Sequence, residues 1–246
     1  NDHVIAVSES VADYHQRVNW VPKSRMDTIH AFIDTEKFAR VSDQQVATQR
    51  NTWGIAKDQV AIGVVGDIVH RKGQLNLIRA LPEILKQIPN AQVVLIGPRG
   101  HDEGGSYHED YAEEIRNFTN EHNLGDHVVW SGYAKDIAPV MRSLDLCVTP
   151  SQTEPFGLVA AEAMAAGCPV VASRVDGLVD IVEHEETGLL CEPNEVQPLS
   201  QAVVRILSNQ KLQHTALCLL PNKHFARSER LLLVVRMPTI PLFVQL

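Results

Sequence analysis

Between residues 60 and 207 the chain repeats one pattern. A short run that is apolar on both faces is followed by a loop and then by a helical stretch with apolar residues every three or four positions. The runs fall at 60–65, 91–96, 127–130, 144–148, 169–172 and 187–190. Helical periodicity covers 73–88, where Leu75, Ile78, Leu81 and Leu85 share a face, and then 108–122, 137–142, 157–166 and 195–207, with a helical turn at 179–182. A strand without a polar face must be covered on both sides, and strands that alternate with helices are joined by crossovers. The pattern therefore predicts an α/β fold, a doubly wound parallel sheet with helices on both faces. Such sheets bind ligands beyond the carboxyl ends of their strands, so chemistry is expected in the loops after Val65, Ile96, Trp130, Val148 and Ala172.

The flanks differ. A strand is predicted at 4–7, then a helix with Ser8 as N-cap and Val11, Tyr14 and Val18 as its apolar face. A second strand at 26–29 is followed by a polar helix at 43–53, which Gly54 suits as a stop. Beyond residue 209 the rhythm is lost, and Pro221, Pro238 and Pro241 break any long helix. Three segments result: 1–40, 41–208 and an atypical tail, 209–246. The chain opens almost directly on a strand, which reads as a fragment of something longer.

Charge and composition exclude several classes. The net charge is −8, from 30 acidic and 22 basic side chains. Tracking a nucleic acid needs a positive field, so no nucleic-acid partner is expected. No run of about 18 apolar residues is present to span a bilayer. The four cysteines, Cys147, Cys168, Cys191 and Cys218, form no C-x-x-C pair. Sparse, scattered thiols of this kind fit a reducing, cytoplasmic setting. His101, Asp102, Glu103, His108, Glu109 and Asp110 cluster around two glycines without ligand spacing on one face, and a solvated loop is expected instead of a metal site. His70 beside the first loop reads as a surface histidine. A dinucleotide-dependent oxidoreductase is disfavoured, since no G-x-G-x-x-G turn follows the first strand of the sheet.

Two loops carry unusual residues. The first runs from Gly66 to Gly73 and places Arg71 and Lys72 at a helix start, where free N–H groups and the helix dipole favour an anion such as a diphosphate. The second is Pro150-Ser-Gln-Thr-Glu-Pro-Phe-Gly-Leu-Val-Ala-Ala-Glu162. Glu162 sits in an otherwise apolar helix, where a carboxylate is costly unless something hydrogen-bonds it, and a ribose diol would do so. Gly157, between Phe156 and Leu158, lets backbone approach a ligand closely. Carboxylate, amides and carboxylate in this order match the layout of a nucleotide sugar: hydroxyls, diphosphate, hydroxyls.

The run from Glu154-Pro-Phe-Gly-Leu through Glu162-Ala-Met-Ala-Ala-Gly-Cys-Pro-Val-Val-Ala-Ser173 resembles the E-x7-E region of family 4 glycosyltransferases of the GT-B fold. Gly188-Leu-Leu, Val65-Gly66 with Lys72-Gly73, Val94-Leu-Ile-Gly97 and Val129-Trp-Ser-Gly132 are similar to that family as well, and the likeness extends over about residues 4–207. It implies that 41–208 is the Rossmann-like donor domain, the C-terminal half of a GT-B enzyme, and that 1–40 is a remnant of the acceptor domain with its linker. It further implies that Glu154 holds donor sugar hydroxyls, and that Phe156, Gly157 and Leu158 offer amides to sugar and diphosphate. Glu162 would hold the ribose, Lys72 would stabilise the departing diphosphate, and Tyr133 and Ala134 would lie near the base. Two departures stand out: Asp67 occupies a position where the family often has arginine, with Arg71 the candidate substitute, and the 209–246 tail does not match the family's closing helices.

The expected activity is transfer of a hexose from a nucleoside diphosphate sugar, with retention of anomeric configuration. Neither a cofactor nor a metal is expected. The acceptor would be a glycan, a lipid or a small molecule, with membrane association possible for a longer parent only. The alternative is a donor-binding fragment without turnover. The expected catalytic pair is Lys72 and Glu154, and the expected donor-binding residues are Gly66, Arg71, Tyr133, Phe156, Gly157, Leu158 and Glu162.

Overall fold

The computed structural model describes residues 3–98 and 107–209, without the side chains of 107–109. Near the start, β1 (Val4–Ala6), α1 (Glu9–Val18) and β2 (Met26–Thr28) form a small unit in which the two strands pair in parallel. Its core is Ala6, Ala12 and Met26. Ser8 caps α1 as expected, its side chain accepting from Val11 N–H at 3.1 Å. The apolar face differs from the expectation: Tyr14 and Val18 are exposed, and Ala12 is the residue that α1 buries. With strands of three residues, this unit offers a long apolar side chain nothing to pack on.

Next come α2 (Thr35–Ala39) and α3 (Asp43–Thr52). The sequence pattern does not reveal α2, which is too short for a periodic signal; Asp34 starts it by accepting from the N–H groups of Glu36 and Lys37. It lies before residue 41, yet its Phe38 is buried in the main core beside Trp53 and Ile55. A capping box between Ser42 and Gln45 opens α3, and Gly54 follows it at φ +71°, a left-handed stop.

The main body is β3 (Val60–Val65), α4 (Gln74–Leu85), β4 (Ala91–Ile96), α5 (Tyr107–Glu121), β5 (Val128–Gly132), α6 (Ile137–Arg142), β6 (Leu146–Thr149), α7 (Leu158–Ala165), β7 (Val170–Ser173), α8 (Leu178–Ile181), β8 (Leu189–Cys191) and α9 (Val196–Leu207). All six strands are parallel, in the order β5-β4-β3-β6-β7-β8. Side chains alternate across the strands. Ile62, Val64, Val93, Leu95, Leu146 and Val148 pack under α4, α5 and α9, while Ala61, Val94, Ile96, Cys147, Val170 and Ala172 pack under α3, α6 and α7. Leu77, Ile78, Leu81 and Ile84 of α4 are completely buried. Each such side chain stabilises the fold by about 1.5–3 kcal/mol. Expected and observed element ends differ by at most three residues, the largest gap being at the end of α4. The expected tail, 209–246, lies outside the described residues from 210 onward.

The chain winds outward from β3 through β4 to β5, then returns to β6 and winds the other way. The crevice at that reversal, between the ends of β3 and β6, is where a sheet of this kind opens for a ligand.

Candidate functional site

The loops after β3 and β6 meet at this crevice and are joined by backbone. Gln152 N–H donates to the Arg71 carbonyl at 2.8 Å. Gly73, at φ +67°, lies so close to the Pro150 carbonyl that a Cβ there would overlap its oxygen. A 3-10 turn at His70–Lys72 directs Lys72 inward and leaves Arg71 exposed. Gly66, at φ +137°, sits against the Lys72 stem. Buried Gln74 donates to the Asp67 carbonyl at 2.7 Å and fixes the loop from below.

Lys72 Nζ stands 2.6 Å from Glu154 Oε2, a contact between residues 82 positions apart. Only 13% and 15% of the two side chains is exposed. Neither charge keeps a full water shell, so removing one partner leaves the other stranded. The Ser151 hydroxyl lies 3.4 Å from the same carboxylate oxygen. The backbone of Glu154 is held as firmly. Asp176 Oδ2 accepts from Glu154 N–H (3.0 Å) and from the Thr153 hydroxyl (2.6 Å), and Gly177 N–H donates to the Glu154 carbonyl (3.0 Å). Asp176 adopts φ +39°, a conformation unfavourable for most residues with a side chain.

Five residues beyond the Asp176-anchored Thr153, α7 begins. Gly157 caps it at φ +97°, with Leu178 packed where a Cβ would stand. No described residue accepts from the N–H groups of Leu158 or Val159, so α7 presents an open, electropositive start. Phe156 is buried and Leu158 exposed. The start of α4 is different from the anion cradle expected there. Its Leu75 N–H donates to the Tyr111 hydroxyl at 2.9 Å, and its Asn76 N–H to the Gly73 carbonyl. Burial pushes the Tyr111 phenol up to about 12, and the His70 ring packs on it at 4.2 Å. Two of the first amides of α4 are thus occupied while those of Leu158 and Val159 on α7 are open, and the first loop contributes its cations.

Glu162 lies one turn into α7, about 6 Å along the axis from its start. It is half-buried, and no described residue hydrogen-bonds its carboxylate. Burial raises its pKa above the ordinary value, and the Lys37 charge works in the opposite direction. Lys37, on α2, is held 3.0 Å from Asp136, whose pKa that contact lowers. Tyr133 is 76% exposed and follows Gly132, whose carbonyl accepts from Gly97 N–H at 3.0 Å. Its loop leaves the same edge of the sheet as the others. Asp67 is exposed and forms an ion pair with neither Arg71 nor Lys72.

Lys72, Glu154, Gly66 and the turn 156–158 therefore come together at one crevice, with Glu162 a turn away. Arg71 and Tyr133 are exposed, and among the described residues no hydrogen bond or ion pair ties their side chains to the pair. Sequence reasoning missed Asp176 as the anchor of Glu154, Ser151 as a second donor, Lys37 facing Glu162 and Tyr111 at α4. The Asp-Gly turn after the neighbouring strand, β7, is the one visible signal, for Asp176. Cys147, Cys168 and Cys191 are buried and unpaired. Among the described residues no group of three His, Cys, Asp or Glu is placed to hold a metal. Of the histidine and acid cluster, His101, Asp102 and Glu103 lie outside those residues, as do the side chains of His108 and Glu109.

Comparison with known proteins gives one consistent likeness. The profile described as Glycosyl transferases group 1 matches residues 45–216. An uncharacterised glycosyltransferase of Methanocaldococcus jannaschii is 34% identical over 211 residues, covering 84% of this chain and 51% of the relative. The crystal structure of Anabaena HepE in complex with UDP-glucose is similar at a TM-score of 0.79, with 28% identity over 88% of this chain and 57% of that one. Sucrose-phosphate synthase from Thermosynechococcus elongatus matches at a TM-score of 0.74, with 34% identity over 87% of this chain and 51% of that one. The chain spans about half the length of the curated relatives it matches.

Proposed function

This chain belongs to the glycosyl transferases group 1 family, with the C-terminal Rossmann-like sheet of GT-B enzymes, and from that membership we propose that it forms the donor site of a hexosyltransferase. The donor is a nucleoside diphosphate sugar, and the anomeric configuration is retained. The observation that carries this reading is the Lys72–Glu154 pair beside the open start of α7. The diphosphate lies against the N–H groups of Leu158 and Val159 and takes over the Lys72 ammonium. Glu154, released from Lys72, accepts from sugar hydroxyls. Glu162 accepts from the ribose diol, a partner that the apolar body of α7 does not supply, and Tyr133 flanks the base.

In the reaction the bond between the anomeric carbon and the diphosphate oxygen breaks, an acceptor hydroxyl oxygen bonds to the same carbon, and the hydroxyl's proton leaves with the diphosphate. Negative charge grows on the leaving phosphate and oxocarbenium character on the sugar. Lys72, the α7 amides and Arg71 at the rim stabilise the phosphate charge through preorganised groups. These supply positive charge without a metal. We therefore propose a metal-independent reaction. The three unpaired cysteines favour the cytoplasm as its place.

A second reading, donor binding without turnover by this chain alone, is favoured by its span of about half the relatives' length. Calorimetry with UDP, GDP and ADP sugars in the presence of a chelator tests the donor site: one of them should bind, and binding of none sinks the proposal. Turnover by this chain would overturn the second reading. In a full-length enzyme, Lys72→Ala should lower kcat about 100-fold or more, with the product still carrying the retained anomer by NMR.

A further inference from the structure

The small unit of β1, α1 and β2, with the segment just after it, meets the donor loop (150–158) and α8 at three points. The Ser8 hydroxyl is 2.6 Å from the Pro155 carbonyl oxygen, across 147 positions of chain. Glu9 N–H donates to Asp180 Oδ2 at 3.0 Å, so a carboxylate of α8 meets the positive end of α1. The His30 ring stands 6.0 Å from that of Phe156. Ser8 is completely buried, and its hydroxyl both donates and accepts. It accepts from Val11 N–H, and since a carbonyl cannot donate, its one proton goes to Pro155.

Pro155 sits between Glu154 and the turn that opens α7. Asp176 and Gly177 hold this loop from the side of the sheet. Ser8 holds it from the opposite side, on an element that is not part of the sheet. We propose that Ser8 is a positioning residue for the donor loop: its buried hydroxyl ties α1 to the Pro155 carbonyl and so sets where the Glu154 carboxylate and the α7 amides stand. The Glu9–Asp180 contact keeps α1 in register for that tie. The position of α1 is thereby transmitted to the grip on the sugar diphosphate, while the ribose contact at Glu162, farther along α7, is left alone.

This inference rests on the donor site proposed above. Ser8→Gly is the informative variant, because glycine is tolerated at an N-cap but cannot bond Pro155. The probes are UDP-glucose, GDP-mannose and ADP-glucose, each beside its own nucleoside monophosphate. Ser8→Gly should weaken the sugar nucleotide that binds by about tenfold, leave the monophosphate within about twofold, and speed amide exchange at Glu154, whose N–H donates to Asp176, in the unliganded protein. Ser8→Thr, which keeps the hydroxyl, should restore both. If Ser8→Gly does not fold, Asp180→Ala removes the Glu9 contact that keeps α1 in register and should show the same selective loss. Unchanged affinity, or equal loss for both ligands, overturns the inference. Failure of the unaltered chain to bind any probe overturns the donor-site reading, and the inference with it.

Discussion

Glu162 is the one ionisable residue on a helix otherwise made of Leu, Val, Ala and Met. Folding raises its pKa above 4.5. The folded chain then holds the proton more tightly than the unfolded one. The stability contributed by the neutral carboxyl is complete below 4.5 and falls as pH rises through the raised value. Glu162→Gln removes this dependence. It should melt above the unaltered protein at neutral pH without ligand, converge with it near about pH 4, and bind the donor about tenfold or more weakly. A variant melting lower at neutral pH would show that the carboxylate is already satisfied. The oddness of Glu162 is plain in the sequence, because an acid among apolar neighbours is a local feature. The partners of Glu154 are not: Lys72 and Asp176 reach it from other strands, and no local pattern encodes a contact across 82 positions.

Among the elements, strands and long helices are legible because each repeats its signal. The five-residue α2 is not, since a single capping aspartate and one buried phenylalanine make no period. Nor does the sequence show which helix start is open. Two candidates follow glycines, and only the fold reveals that Tyr111 occupies the one at α4 while the one at α7 has no described acceptor. Gly73 joins the two site loops by close approach to Pro150. Gly73→Ala meets both a left-handed backbone and the Pro150 oxygen, and should destabilise by at least about 1–3 kcal/mol in denaturant unfolding. A neutral result would mean that the loops are not held together there.

At the scale of the whole molecule, two units differ in the apolar surface they bury. The six-stranded sheet has a core on each face. The two-stranded unit relies on Ala6, Ala12 and Met26. Amides of β4 should therefore exchange with the global unfolding, and those of β1 and β2 by local opening at lower free energy. Equal protection in both would refute the division. The parallel, two-sided architecture follows from the apolar runs alone; the docking of α1 on the donor loop does not, because it depends on one buried hydroxyl.

The central join of the sheet is also its slenderest. β3 pairs with β4 along its whole length, from Val60↔Ala91 to Val65↔Ile96, but with β6 only at Ile62↔Leu146 and Gly63↔Cys147. Lys72 and Glu154 bridge the gap just beyond those two rungs. A dianion lodged there, as proposed above, should act as a rivet across a seam of two rungs, and an empty molecule pulled apart across the sheet should part first along that line.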